Sequence, residues 1–260
     1  MVIGIIGRGA IGRYVSDTLT ARGIGPRTVL VRANRMGEPP RDGPLHVDTV
    51  ADLPDDTTLM IDCAGHAALS EHGPAILERG IDLVTVSLGA LADQALHDRL
   101  RAAAEAGQAR LRLASGAIGA LDSLQAARVG GLDRVTYIGR KPPSGWKGSP
   151  AEEHLDLDAL NEATTHFAGS AREAALRYPK NANVAAAVAL AGAGFDDTRT
   201  ELIADPASTA NIHEIHAEGR FGTFSFRIEG RALPDNPRSS ALAAMSVIAA
   251  VERERAPITI

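Results

Sequence analysis

The chain has 260 residues, enough for one large domain or two modest ones. Hydrophobic residues make up 45% and charged residues 23%, which excludes a disordered chain. A formal net charge of −5 gives no general attraction for nucleic acid, and the single cysteine, Cys63, rules out an intrachain disulfide and a cysteine-rich zinc site.

Val2 to Ile6 reads as a compact apolar strand, and Ile11 to Ala21 as a helix closed by Gly23 in the position a left-handed cap favours. Thr28 to Arg32 is a second strand, followed by Leu59 to Cys63, Leu83 to Ser87 and Leu111 to Ala114. Between them, Ala67 to Arg79 and Leu91 to Ala106 read as helices, stopped by Gly80 and Gly107. This alternation predicts an α/β fold, a Rossmann-type doubly wound parallel sheet over residues 1–115.

After Ser115 the rhythm changes to a second, mixed α+β domain over residues 116–238. Leu121 to Arg128 looks helical, and Arg134 to Ile138 is a strand ahead of a Pro/Gly segment, Arg140 to Pro150. Ser170 and Glu173 have capping-box spacing and open a helix to about Tyr178, with a further helix over Val184 to Leu190. Thr200 to Ile203, Ile212 to Ala217 and Phe221 to Ile228 read as antiparallel strands, the last two joined through Gly219 and Gly222. Asn236 and Pro237 mark the entry to an amphipathic helix, Ser239 to Arg253, expected to pack back on the first domain. The longest apolar stretch, Val184 to Phe195, falls far short of the ~20 residues that span a bilayer. The start has no basic region of a secretory signal, so a cytoplasmic protein without membrane partners is expected. No cluster has metal-ligand spacing.

Gly7, Gly9 and Gly12 form a G-x-G-x-x-G pattern that follows a strand and opens a helix through Ala10 and Ile11. Such glycines allow a tight turn, close approach of a pyrophosphate and close helix packing, while the helix N-terminus supplies free N–H groups. A dinucleotide, NAD or NADP, is therefore expected at these residues. The end of the second strand carries Arg32, Asn34 and Arg35 where an acidic residue would select NAD. The arginines suit a 2′-phosphate and Asn34 a hydroxyl, which favours NADP, alone or beside NAD. Two solvated surface arginines are the alternative.

Seven later segments carry a more specific pattern: Asp62 to His66, Val86 to Asp93, Ser115 to Gly119, Arg140 to Pro143, Tyr178 to Ala186, Asn211 to Ile215 and Pro234 to Pro237. In this order and spacing the chain resembles the L-aspartate dehydrogenase family over nearly its whole length. The resemblance implies NAD(P)-dependent oxidation of L-aspartate to iminoaspartate, which hydrolyses to oxaloacetate and ammonia. It also implies the reverse amination, a link to NAD biosynthesis, and a homodimer whose second domain holds the substrate. It makes His213 the catalytic residue and places Ala117 and Asn183 on cofactor-contacting positions.

Ala64, Gly65 and Ser87 lie in strand-to-helix loops on the ligand edge of the sheet and are further cofactor candidates. Asn183 is also placed to cap the helix it precedes. A histidine titrating near neutral pH suits the proton transfers of amine oxidation, and His213 shares a strand face with Ile215 and Ala217. His216 faces the other way; His66 is expected to border the nicotinamide, and His154 and His166 to lie on the surface. A dicarboxylate needs cations or amides, and Arg140, Lys141, Lys147, Lys180, Arg238 and Asn211 are candidates, with Lys141 and Lys180 leading. Trp146 belongs either to a flap over the substrate or to a loop anchor. A dehydrogenase of another small amino or keto acid, and a non-catalytic NAD(P) sensor, are the alternative functions.

Overall fold

The computed structural model describes residues 1–36, 43–233 and 236–259. The chain forms two compact units, Met1–Ala114 with Ala243–Ile260, and Ser115–Leu242.

The first unit is built on β1 (Ile3–Ile6), α1 (Ala10–Ala21), β2 (Thr28–Leu30), β3 (Leu45–Val47) and β4 (Leu59–Asp62). It continues through α2 (His66–Glu78), β5 (Asp82–Thr85), α3 (Gln94–Gly107) and β6 (Leu111–Leu113). The six strands are parallel in the order β3-β2-β1-β4-β5-β6. Because the chain starts at the sheet centre, winds outward and then crosses to the other side, the strand order reverses between β1 and β4. In open α/β sheets ligands bind at that switch point, beyond the carboxyl ends of the strands. Ile5, Ile6, Met60, Ile61, Leu83 and Val84 are buried, which accounts for their near-continuous apolar runs.

Three details depart from the sequence expectation. The strand β3 is only three residues long with Leu45 exposed, so no apolar run announced it. The helix expected from Leu91 divides into a 3₁₀ turn, Leu88–Ala92, and α3, because the Asp93 carboxylate caps α3 by accepting from the Ala95 and Leu96 N–H groups. At the other end of α3 the left-handed residue is Gln108, not Gly107. Gly107 is small for a different reason: a Cβ there would lie 1.9 Å from the Leu77 carbonyl oxygen of α2. The C-terminal helix, Ala241–Arg253, brings Glu252 to Arg22, and just beyond it Glu254 reaches Arg112, which also holds Asp82 at 2.7 Å.

The second unit contains α4 (Leu121–Gly130), β7 (Leu132–Lys141), β8 (Thr164–Ser170), α5 (Ala171–Arg177) and α6 (Asn183–Ala191). It ends in β9 (Thr198–Ala204), β10 (Asn211–Gly219) and β11 (Gly222–Gly230), ahead of a short strand pair. The sheet order is β11-β10-β7-β9-β8. Against expectation β9 is parallel to β7, and its antiparallel neighbour is β8, a Thr- and Gly-containing strand without an apolar run. The Ser170 capping box is complete, and the β10–β11 turn runs from Gly219 to Gly222. Helix α6, almost entirely Ala and Val, packs on β7, β9, α4 and α5. Among the described residues no helix is long and apolar enough to cross a membrane.

Candidate active site

In the first unit the glycine loop does what its spacing requires. Gly7 has φ of +90°, a conformation other residues adopt at a cost, and Cβ atoms at Gly7 and Gly12 would lie 2.8 Å from Ala64 Cβ and 2.4 Å from the Gly7 carbonyl oxygen. At Gly9, with φ of −70°, a Cβ would meet no protein atom within 4 Å. The space beyond it is open. Gly9 also caps α1 without a side chain, so the first-turn N–H groups around Ala10 and Ile11 stay available to an anion. Beside the loop lies a cavity of about 430 Å³, bounded by Gly7, Gly9, Arg32, Arg35, Ala64 and His72. That volume lies in the range of small-ligand sites. Arg32 precedes a 3₁₀ turn, Ala33–Arg35, that contains Asn34 and ends in Arg35; all three are exposed, and neither arginine has an ion-pair partner among the described residues.

Sequence reasoning passed over Asp62, which organises this edge. Its fully buried carboxylate accepts from Thr85 Oγ1 at 2.7 Å, Ser87 Oγ at 2.6 Å and the Ala64 N–H at 2.9 Å. Burial raises its pKa, and the bonds from Ser87, Ala64 and Thr85 oppose that. The network ties the ends of β4 and β5 together and sets the loop through Ala64 and Gly65. Ser87 therefore turns its hydroxyl inward, and its backbone is engaged as well, the N–H donating to Thr85 Oγ1 at 2.9 Å and the carbonyl accepting from the Ala90 N–H at 3.1 Å. Cys63 follows Asp62; burial, then the Asp62 charge, pushes its thiol up and keeps it protonated.

The second unit gathers a different set. His213 on β10 pairs across the sheet with Gly139 on β7, and alternation puts Asn211, His213 and Ile215 on one face with Tyr137, Gly139 and Lys141. His213 is buried and its Nδ1 lies 2.8 Å from the Tyr137 hydroxyl. Burial, then the nearby Lys141 charge, pushes the His213 pKa down to about 3. The expectation of a ring titrating near neutrality is thus corrected: the resting imidazole is neutral. Lys141 is itself half-buried, its Nζ 4.8 Å from the Trp146 ring centroid, and burial lowers its pKa to about 8. It has no carboxylate partner among the described residues, as a cation kept for a ligand would.

Other candidates sort clearly. Arg140 is engaged with Asp205 at 2.9 Å, and Lys147 with Asp158 at 2.5 Å on the surface, so both are committed elsewhere. Lys180 is exposed beyond α5, and the Arg238 side chain, with Pro234 and Asp235, lies outside the described residues. Asn183 is the first residue of α6 rather than its cap, which is Ala182. Ala117 is buried in the segment ahead of α4, and His66 opens α2. His216 is exposed on the other sheet face, bonded to Ser225. The surface reading of His166 is wrong: a bulge between Thr165 and Phe167 turns it inward, 4.4 Å from the Trp146 ring and 3.3 Å from the Tyr178 hydroxyl. Trp146 anchors its loop by donating Nε1–H to the Ile203 carbonyl at 3.0 Å.

A family model described as the C-terminal domain of aspartate dehydrogenase matches residues 122–254, and one described as the NAD-binding domain of homoserine dehydrogenase matches residues 4–114. An L-aspartate dehydrogenase of Ralstonia nicotianae is 48% identical over 259 residues, covering 96% of both chains. The chain belongs to the aspartate dehydrogenase family. A second relative in this family, the L-aspartate dehydrogenase of Ruegeria pomeroyi, is 61% identical over 206 residues, 79% of this chain and 75% of that one. The crystal structure of aspartate dehydrogenase from Thermotoga maritima superimposes with a TM-score of 0.79 at 26% identity, covering 100% of this chain and 99% of that one. As in other aspartate dehydrogenases, a pyridine nucleotide is the cofactor and a small molecule the substrate.

Proposed function

We propose that this chain is an L-aspartate dehydrogenase, oxidising L-aspartate to iminoaspartate with NAD(P)⁺ and catalysing the reverse amination. The observation that carries the reading is the shared face of β7 and β10, where a neutral His213 lies near an unpaired Lys141 cation. The glycine loop, the N-terminus of α1 and the Arg32 side of the cavity would hold the dinucleotide, with Ala64, Gly65, Ala117 and Asn183 as further contacts. When bound, the dinucleotide would supply the hydride acceptor for oxidation at the substrate α-carbon.

His213 is the catalytic residue; its Nε2 edge, without a hydrogen-bond partner among the described residues, is where a proton is held or passed on. Lys141 and Asn211, on the same face, bind substrate carboxylate oxygens, and the exposed Lys180 is a second candidate cation. Arg32 and Arg35 favour NADP, with NAD accepted through Asn34; an Arg32→Ser, Arg35→Ser variant is expected to lose affinity for NADP more than for NAD. A homodimer is carried over from the family reading, and light scattering tests it.

The deciding assay is NAD(P)⁺ reduction with L-aspartate, and NAD(P)H oxidation with oxaloacetate plus ammonia. Activity with neither overturns the assignment. Since the first unit matches a homoserine dehydrogenase model, homoserine belongs in the same panel. His213→Ala is expected to lower turnover by about 10²–10⁴, the usual worth of acid–base help, while leaving dinucleotide binding intact.

A further inference from the structure

Among the described residues the His213 ring is bound through one nitrogen, and the way it is bound fixes what the other nitrogen offers. The Tyr137 ring lies along β7 and reaches past Gly139 to bring its hydroxyl 2.8 Å from His213 Nδ1, the two ring planes being 20° apart. Tyr137 is 1% exposed, and His213 Nδ1 is its hydroxyl's partner among the described residues. If that hydroxyl accepted from Nδ1–H, its own hydrogen would be buried with nowhere to go, at a cost of about 1–3 kcal/mol. If it donates, every polar atom of the pair is served, because Nε2 lies on the free edge of the ring and is not among the sealed, unpartnered atoms.

Gly139 completes the arrangement. Its backbone is not left-handed, so conformation does not call for glycine there, but a Cβ would lie 2.7 Å from the Tyr137 hydroxyl oxygen and 3.2 Å from Leu202 Cδ2. The missing side chain is the notch through which the phenol reaches the imidazole.

We propose that Tyr137 is a positioning residue for His213. It donates to Nδ1 across the Gly139 notch, so that the resting imidazole presents Nε2–H as a hydrogen-bond donor to a substrate oxygen. The recognised group is a carbonyl, hydroxyl or carboxylate oxygen of a small acid, and the first act of His213 is to hold it rather than to take a proton. This rests on the reading of His213 as the substrate-facing residue, but the tautomer itself is measurable without substrate.

Long-range ¹H–¹⁵N spectra of the ligand-free protein assign the proton on each ring nitrogen. The expected result is a protonated Nε2 and a bare Nδ1 in wild type, with a tautomer mixture in Tyr137→Phe. A wild-type ring carrying its proton on Nδ1, or an unchanged tautomer in Tyr137→Phe, overturns the proposal whether or not the enzyme oxidises aspartate. In kinetics, Tyr137→Phe is expected to lower kcat about tenfold with KM for the dinucleotide unchanged. Gly139→Ala should reproduce that loss in the wild-type background and add little in the Tyr137→Phe background. Additive losses would mean that Gly139 acts on something other than the phenol, and would refute the notch. Should Gly139→Ala fail to fold, the wild-type and Tyr137→Phe spectra decide alone.

Discussion

Replacing His213 with Gln should make the second unit less sensitive to acid by a calculable amount. The unfolded ring protonates with a pKa of 6.5, whereas the folded one resists to about 3. The unfolded chain therefore takes up a proton below pH 6.5 that the folded chain refuses. Stability is complete above that value and is lost as pH falls toward 3. Between pH 7.5 and pH 5 this ring alone costs roughly 2 kcal/mol of stability. His166 adds a similar loss, because burial first, then the charges of His154, Lys141 and Arg177, holds its pKa near 4. Glutamine never charges and can still accept from Tyr137. Urea unfolding followed by fluorescence isolates the effect, because Trp146 is the only tryptophan, is fully buried and lies in the same unit as His213. With urea m-values of about 1–3 kcal/mol per molar, the wild-type midpoint should fall about 1 M further than that of His213→Gln between the two pH values. Carboxylates titrate alike in both proteins and cancel. Equal pH dependence in wild type and variant would refute the argument that the folded ring stays neutral.

Gly9→Ala should leave stability within about 0.5 kcal/mol and still weaken dinucleotide binding, because its Cβ meets open space beside the loop rather than protein. Gly12→Ala should lose both, with overpacking against the Gly7 carbonyl costing about 1–3 kcal/mol; calorimetry and thermal melts separate the pair, and unimpaired binding in both would dismiss the loop as the phosphate berth. Asp62→Ala leaves the hydroxyl hydrogens of Thr85 and Ser87 and the Ala64 N–H without their acceptor and should destabilise the first unit by at least ~2 kcal/mol; a change under 0.5 kcal/mol would show the network to be dispensable. Lys141 loses its charge above about pH 8, so competitive inhibition by a simple dicarboxylate should weaken about tenfold per pH unit beyond it. A flat wild-type profile to pH 9.5, or an equal decline in Lys141→Met, would remove Lys141 from the carboxylate site.

Much of the first unit was legible because its signals are local. A strand, a glycine turn and a helix follow one another within Ile3 to Ala21, and Gly12 is required by the Gly7 carbonyl only five residues away. What escaped was whatever lacked an apolar run: β3, β8 and the bulge that turns His166 inward. The seven spaced motifs and the positions of Lys141 and His213 were also on the page of the sequence.

Sequence by itself determined the glycine loop, the basic end of β2 and the period-2 strand that carries His213, because each follows from residues adjacent in the chain. Only the tertiary structure decided the state of those groups. Tyr137 lies 76 residues from the ring it holds, and Asp205 lies 65 residues from the Arg140 it occupies. Protonation and availability depend on burial and on which polar group arrives alongside, and strands far apart in sequence supply both only once the sheet has formed.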